Sequence, residues 1–501
     1  MTSSSVWSSA MKRRVYLVAA LLLGALGSFA HPPHTFEPAI LIPLIAAFFL
    51  LVGAERIRDA WCYGWALGIG YFSLTLSWIS EPFQIDAVEM GWMGPLAVLS
   101  LAVLLGMFWA GAMAFALWVS GNPVVLVFTW TGAEILRAYL FTGFPWASPP
   151  QALVGTLAGQ ALAFFGPHGL MFLCVSLAFL IGTAQRFWLR IGSFFIAVVM
   201  IISPPISASS ALTSHTVRLV QPNAPQDEKW LPESIPIFES RLINYTAEGL
   251  PPDLVIWPET ALSYLEEDAQ FIFDDIAEAA RGSLVVLGIQ RRHNEKYFNS
   301  LVVLDSAGEV VQTYDKHRLV PFGEYMPFDW FFRYINVGGL AARTELGYAS
   351  GSGPSILNFG ALGAALPLIC YEAVFAHAVG GTEIRPNFLI QLTNDAWFGN
   401  WSGPQQHLAQ ARMRAIEQGL PMVRVANTGI SALIDPKGRV TASLGLGTAG
   451  YLDVKLPQPG ASTLYSYTGD WPWITILILG LWGSIIKRTL QGGKIGVDSI
   501  R

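Results

Sequence analysis

Residues 253–259 read Asp-Leu-Val-Ile-Trp-Pro-Glu and residues 366–372 read Leu-Pro-Leu-Ile-Cys-Tyr-Glu. Each is a short apolar run of the kind that forms a strand buried on both faces, and each ends on a side chain capable of chemistry. Pro258 stops the first run with Glu259 just beyond it, and Cys370 stands where the second gives way to a turn. Between them, Tyr314-Asp-Lys-His-Arg318 puts Lys316 directly after another run and ahead of Leu319-Val-Pro-Phe-Gly-Glu324-Tyr325. Similar runs at 216–221, 284–289, 298–304, 309–314, 387–392, 421–426 and 431–434 predict further strands. Helices are predicted at 233–247, at 266–280 behind the acidic opening Glu266-Glu267-Asp268, and at 404–418 between Pro404 and Gly419. Ser306-Ala-Gly308 and Asp435-Pro-Lys-Gly438 predict hairpin turns. Alternation of this sort defines a layered α/β domain.

Outward from this domain the chain changes character. Its 501 residues are 53% hydrophobic and 13% charged, far too apolar for a soluble protein alone. With 30 Lys and Arg against 35 Asp and Glu, no basic surface points to nucleic acid. Charges are sparse up to residue 206, where apolar stretches predict membrane spans near 14–30, 37–54, 59–79, 91–119, 122–142, 157–184 and 187–206, with an eighth at 471–487. About eight transmembrane helices are thus expected: seven in 1–206, the α/β domain over 207–470, and the last in 471–501 with a short cytoplasmic tail. Pro38 and Pro43 predict a kink in the second span, and the length of the fourth and sixth predicts tilt or extension beyond the hydrocarbon.

Basic residues cluster at 12–14, at Arg56 and Arg58, at Arg186 and Arg190, and at Lys487, Arg488, Lys494 and Arg501, whereas the loops 31–36, 80–90 and 143–156 carry none. The positive-inside rule then puts both termini in the cytoplasm and the α/β domain outside. Lys12-Arg-Arg14, the apolar stretch and the small Ser28 and Ala30 also fit a cleaved signal peptide. A retained helix accounts better for the spans that follow at once. Glu134 and Arg137, three apart on one helical face, read as an ion pair snorkelling at the interface.

The three cysteines, Cys62, Cys174 and Cys370, are too few and too scattered for a disulfide framework or a thiolate metal site. Cys62 and Cys174 fall in predicted spans, while Cys370 is the only thiol of the α/β domain. A nearby cation favours its thiolate and a nearby carboxylate can take its proton. Lys316 and the backbone N–H of Tyr371 could then stabilise the oxyanion formed by attack on a carbonyl, with Glu259 as general base and acid. Such chemistry needs no metal or organic cofactor.

Trp-Pro-Glu259, Asp-Lys316-x-x-Leu-Val-Pro-Phe-Gly-Glu324 and Cys370-Tyr-Glu372, in this order, resemble the Glu-Lys-Cys triad of the nitrilase (carbon–nitrogen hydrolase) superfamily, whose fold is an α-β-β-α sandwich. With the membrane flanks and Leu140-Phe-Thr-Gly-Phe-Pro-Trp146, nearly the whole chain is similar to the apolipoprotein N-acyltransferase family. Glu324-Tyr-Met-Pro327, Thr393-Asn-Asp-Ala-Trp-Phe-Gly399 and Gln406-His-Leu408 with Arg412-x-Arg-Ala-Ile-Glu417 extend the likeness. It implies a multi-pass enzyme of the bacterial inner membrane, monomeric, with its catalytic domain extracytoplasmic. Catalysis would rest on Glu259, Lys316 and Cys370, without cofactor or metal. Cys370 would take an sn-1 acyl chain from a phospholipid as a thioester and pass it to the α-amine of a diacylglyceryl-cysteine at an apolipoprotein N-terminus.

Glu324, Tyr371 and Glu372 are expected to support the triad and the oxyanion. Trp230, Tyr325, Asn394 and Trp397 are candidates for binding substrate. Asn394 and Asp395 are expected to shape the pocket wall, His407 to be structural, and Arg412, Arg414 and Glu417 to form a helix charge pattern. The glycine-rich stretch 333–353, with Val337 and Leu340, reads as a lid. Two alternatives stay open: a membrane-bound amidase that uses water as acceptor, and a transporter with a non-catalytic sensor domain. The absence of a midplane carboxylate cluster weighs against the second.

Overall fold

The structure, a computed structural model, describes residues 3–183, 185–205, 210–327 and 347–498. Most of the predicted lid at 333–353, including Val337 and Leu340, lies outside the described residues. The chain forms two compact units, Met1–Ile206 with Tyr467–Arg501, and Ser207–Ser466.

In the first unit four helices are long and apolar enough to cross a bilayer: Met11–Ala30, Met93–Val119, Ala158–Thr183 and Trp471–Leu490. Around them lie the helices Leu41–Val52, Ile57–Thr75, Val125–Tyr139 and Phe187–Ile202, of 12, 19, 15 and 16 residues. Pro38 sits in a 3-10 turn, Glu37–Ile40, that leads into Leu41–Val52. The long sixth stretch begins as a 3-10 turn and breaks at Gly166-Pro167, where Gly166 takes a positive φ of 63°. Its length is accommodated by that break as well as by any tilt. The helices Ser3–Gly27 and Ile57–Thr75 touch backbone to backbone: a Cβ on Gly70 would lie 2.0 Å from the carbonyl oxygen of Leu21. Only glycine permits that approach.

Glu134 and Arg137 are not snorkelling. Both are 2% exposed and bonded to each other at 2.6 Å. Trp109 Nε1 donates to Glu134 at 2.8 Å, and Arg137 donates to the carbonyls of Phe144 and Trp146. The pair faces inward and pins the 143–147 loop, because there it finds protein partners rather than water.

The second unit holds twelve strands among its described residues. They are β1 (Leu212–Gln221), β2 (Leu254–Ile256), β3 (Leu284–His293), β4 (Lys296–Leu304), β5 (Val310–Asp315), β6 (Leu357–Asn358), β7 (Ala364–Ile369), β8 (Phe388–Thr393), β9 (Met422–Ala426), β10 (Ser431–Ile434), β11 (Val440–Leu444) and β12 (Gly450–Pro457). One sheet runs β12-β1-β2-β3-β4-β5 and the other β11-β10-β9-β8-β7-β6. Both have a parallel centre, β1-β2-β3 and β7-β8-β9, with antiparallel margins.

Strand alternation produces the layers. Leu219, Leu254, Ile256 and Val303 point to one side and meet Ile369, Ile390, Val423 and Val425 of the other sheet in a single core. Their neighbours Val220, Val255 and Trp257 point to the opposite side and pack on Leu242 and Phe273, from the helices Ile235–Ala247 and Gln270–Ala280. Leu368, Leu389 and Met422 pack likewise on Ala411 and Ala415 of the helix Gly403–Gln418. The layers are α-β-β-α. Each fully buried aliphatic side chain stabilises the stack by about 1.5–3 kcal/mol.

Both predicted hairpin turns form, each opened by an aspartate: Asp305 accepts from the N–H groups of Ala307 and Glu309, and Asp435 from those of Lys437 and Arg439. Strands β6, β11 and β12 go beyond the sequence expectation. The fold gathers strand ends: β2 and β5 run in the same direction in one sheet, β7 and β8 in the other. Glu259, Lys316, Cys370 and Asn394 follow these four strands, at the carboxyl edge where open α/β sheets place their sites.

Candidate active site

Glu259 is nearly buried and fully engaged. Its Oε1 accepts from Asn299 Nδ2 at 2.8 Å and from Lys316 Nζ at 3.2 Å, and its Oε2 accepts from the backbone N–H of Asn394 at 2.8 Å. Thr260 follows with a left-handed φ of 47°, so the chain turns sharply off the strand. That turn lies directly on β3. A Cβ at Gly288 would sit 2.5 Å from Thr260 N and 2.6 Å from Glu259 Cα.

Gly288→Ala is therefore expected to push Glu259 off its partners. The domain should lose about 1–3 kcal/mol of stability, and acyl transfer should fall on the order of 10²-fold through misplacement alone. Thermal unfolding and single-turnover kinetics of the variant measure the two effects separately.

Lys316 also donates to Glu324 Oε1 at 2.8 Å, and Asn299 Nδ2 reaches that same oxygen at 3.0 Å. The other oxygen of Glu324 accepts from Val320 N–H at 2.7 Å. Two carboxylates thus share one lysine and one asparagine. Burial works against the charge on Lys316, but Glu259 and Glu324 outweigh it and hold its pKa well above the ordinary lysine value.

Cys370 is 6% exposed and sits at φ 49°, a second left-handed residue at a strand end. Such a turn costs free energy and lifts a side chain out of the strand's line. Burial pushes its thiol up from the usual value, the charge of Glu259 adds to this, and Lys316 opposes. Lys316 favours the thiolate, as a nearby cation should, but burial and the charge of Glu259 outweigh it and leave the thiol above its usual value. Thr393 hydrogen-bonds the thiol from β8.

The turn is held from both sides. Glu372, wholly buried, accepts from Ile369 N–H at 2.7 Å, from the hydroxyl of Tyr314 and from His317 N–H at 2.8 Å, which ties the cysteine turn to the lysine segment. Behind it, Gln391 Nε2 donates to the Cys370 carbonyl at 3.2 Å, and His407 Nε2 lies 3.1 Å from the same oxygen. His407 Nδ1 meets Asp395 at 2.9 Å, and Asp395 is bonded to Arg424. Burial opposes the charge of Asp395, yet Arg424 and His407 hold its pKa at about 2. His407 is structural, as expected. Asp395 belongs to this buried network rather than to a pocket wall. Arg414 pairs with Glu417 at 2.6 Å and donates to the carbonyls of Ala373 and Val374, so the helix charges face inward onto the cysteine turn.

The remaining candidates separate. Asn394 touches Glu259 through its backbone, and its side chain bonds to Gln226 and Asn427. Tyr371 is buried and packs edge-on against Phe375. Trp230 is 41% exposed, with the Lys229 ammonium 5.0 Å from its ring. Trp397, in the turn Asp395–Phe398, is half-buried. Tyr325 has a buried hydroxyl without a hydrogen-bond partner among the described residues. Among the described residues, no hydrogen bond, ion pair or ring contact joins Trp230, Trp397 or Tyr325 to the glutamate–lysine–cysteine group. Asn299, Thr393 and Gln391 are the residues that sequence reasoning missed. Gln391 is a polar side chain in the middle of an apolar strand, the one signal that marked it, whereas Asn299 sits in the mixed run Lys296–Leu304 and Thr393 ends Phe388–Thr393.

Two six-stranded sheets between helices, with glutamate, lysine and cysteine at neighbouring strand ends, define a carbon–nitrogen hydrolase domain, and that family's model matches residues 216–464. The model of the apolipoprotein N-acyltransferase N-terminal domain matches residues 23–180. The chain belongs to the apolipoprotein N-acyltransferase family. Its relative from Rhodopseudomonas palustris is 34% identical, over 95% of this chain and 96% of that one. That from Brucella melitensis is 36% identical, over 88% and 90%. Among solved structures, an amidase from Nesterenkonia sp. is 19% identical, with a TM-score of 0.36 over 50% of this chain and 94% of its own.

Proposed function

We propose that Cys370 carries an acyl chain from a phospholipid to the α-amine of a diacylglyceryl-modified N-terminal cysteine of an apolipoprotein. In the first half, Glu259 takes the thiol proton as sulfur attacks the ester carbonyl. Lys316 and the Tyr371 N–H stabilise the oxyanion, the bond to the glycerol sn-1 oxygen breaks, and Glu259 returns the proton to that oxygen, releasing lysophospholipid. In the second half, the amine attacks the thioester carbon and gives its proton to Glu259. The C–S bond breaks, sulfur is reprotonated, and an amide leaves. The single observation that carries this reading is the buried cluster in which Lys316 bridges Glu259 and Glu324 while Cys370 ends a neighbouring buried strand. A thiol whose pKa is pushed up by burial and by Glu259 needs a base at the moment of attack, and Glu259 is the carboxylate whose charge it feels most.

The apolar unit serves the substrates. Drawing an acyl chain out into water costs about 0.8 kcal/mol per methylene, so an enzyme for two lipids is best mounted in the bilayer. In this reading all eight helical stretches span the inner membrane, with residues 207–470 extracytoplasmic and both termini cytoplasmic. The uneven placement of Lys and Arg supports it.

The test is to incubate the purified chain with labelled phospholipid and analyse the Cys370 peptide by mass. A thioester that chases onto a diacylglyceryl-cysteinyl peptide is expected. Turnover without any thioester would sink the covalent scheme, and a thioester that only hydrolyses would make the chain an amidase-type enzyme.

A further inference from the structure

The pairing of β7 with β8 ends at Ile369 and Leu392, and Cys370 then turns off the strand at φ 49°. The direction of the peptide that joins Cys370 to Tyr371 is therefore not set by the sheet. That peptide is trans, as are all among the described residues save Pro32-Pro33, so its carbonyl and its N–H lie in one plane and point opposite ways. Whatever holds the Cys370 carbonyl also aims the Tyr371 N–H.

Gln391 holds it from the middle of β8. Ile390 and Leu392 on either side face the other sheet, so strand alternation turns the fully buried Gln391 toward the helix Gly403–Gln418, where His407 stands. The two ends of its amide are told apart by their partners. Arg424 Nη1 donates to Oε1 at 2.7 Å, which an amide nitrogen could not accept, and Nε2 is left 3.2 Å from the Cys370 carbonyl and 3.1 Å from His407 Nε2. Arg424 and His407 are fixed in turn by Asp395, and all three are fully buried. The Cys370 carbonyl is thus drawn to the helix side of its sheet. The Tyr371 N–H points to the opposite side, toward the first sheet, whose strand ends carry Glu259 and Lys316. A hydrogen bond into the carbonyl also polarises the peptide and strengthens its N–H as a donor.

We propose that Gln391 is a positioning residue for the oxyanion: its amide, oriented by Arg424 and His407, pins the Cys370 carbonyl and so aims the Tyr371 N–H at the oxygen that becomes negative when Cys370 attacks. The inference rests on the acyl-transfer reading above and adds to it the side chain that sets the backbone donor.

The experiment compares wild type, Gln391→Met and Gln391→Glu as full-length chains in detergent and follows two reactions of the same thiol. Single-turnover acylation by labelled phospholipid passes through an oxyanion, whereas alkylation by iodoacetamide is a displacement at a saturated carbon and forms none. Gln391→Met removes the donor at similar length. Its acylation rate at saturating phospholipid should fall on the order of 10²-fold, while the half-saturating phospholipid concentration and the alkylation rate at its high-pH plateau stay as in wild type. Acylation at the wild-type rate, or both reactions slowed by the same factor, overturns the proposal, because a glutamine that only packs the turn would disturb the sulfur in both. Gln391→Glu keeps an oxygen for Arg424 and serves should the methionine variant not fold. Its other oxygen would repel the Cys370 carbonyl, so the same selective loss of acylation is expected and the same two results overturn the proposal. A wild type that forms no thioester overturns the acyl-transfer reading itself and this inference with it, a result distinct from any defect of the variants alone.

Discussion

Glu259→Gln is expected to abolish thioester formation while making the cysteine easier to ionise. The two effects run in opposite directions because Glu259 has two influences on Cys370. As the proposed base it would remove the thiol proton during attack, and losing a positioned base costs about 10²–10⁴-fold in rate. As a fixed negative charge it pushes the thiol's pKa up, after burial the largest influence there. The amide removes both. It can still accept from Asn299 and Lys316 through its oxygen, but its NH₂ group cannot accept the Asn394 N–H that Glu259 Oε2 now holds. Iodoacetamide alkylation against pH reads the thiol; single-turnover acylation reads the reaction. The expected result is an alkylation midpoint below wild type together with acylation lost. Acylation at the normal rate would remove Glu259 as the base. An alkylation midpoint that rises would mean the carboxylate does not act on the thiol.

The parts legible in the sequence are those where chemistry and local pattern coincide. Glu259, Lys316 and Cys370 each stand where an apolar strand stops, so the period and the functional group point to the same place. The supporting shell is harder to read because its partners are distant in the chain. Gln391, in the middle of Phe-Leu-Ile-Gln-Leu-Thr, and Arg424, in Met-Val-Arg-Val-Ala, interrupt apolar strands. Only the sheet pairing of β8 with β9 explains them, by setting Arg424 beside Gln391 and against Asp395. A buried polar residue announces that a partner exists without saying which. Strand β11 escaped because its side chains are largely exposed and carry little apolar alternation. In the apolar unit, hydropathy marks stretches but not where a helix ends. Val125–Tyr139 stops because Leu140 is extended and Phe141 takes a left-handed φ of 58° ahead of the Gly143-Phe-Pro145 turn. Glu134 and Arg137 were visible as a pair, but a one-dimensional reading cannot tell an inward face from an interfacial one.

Lys316→Met should be the most damaging change to the second unit, in stability as well as rate. Lys316 is 1% exposed and is the only ammonium bonded to Glu259 and Glu324 among the described residues. Its loss leaves two nearly buried carboxylates facing each other across Asn299. Breaking a buried ion pair by removing one partner costs about 3–5 kcal/mol. The pH dependence follows from the signs. In wild type the lysine's folded pKa lies well above its unfolded value, so its contribution is fully present below about pH 10.4 and is lost only as pH rises through the folded value. In the methionine variant one carboxyl can relieve the repulsion only by binding a proton. A proton bound in the folded state and not in the unfolded one makes stability grow as pH falls, so the variant's penalty should shrink between pH 7 and pH 5. Acylation should not recover over that range, because the proton that restores the fold occupies the base and the oxyanion has lost its cation. Denaturant melts at both pH values, paired with thioester yield, measure this directly. A pH-independent penalty, or acylation that returns with stability, would show that Lys316 serves packing alone.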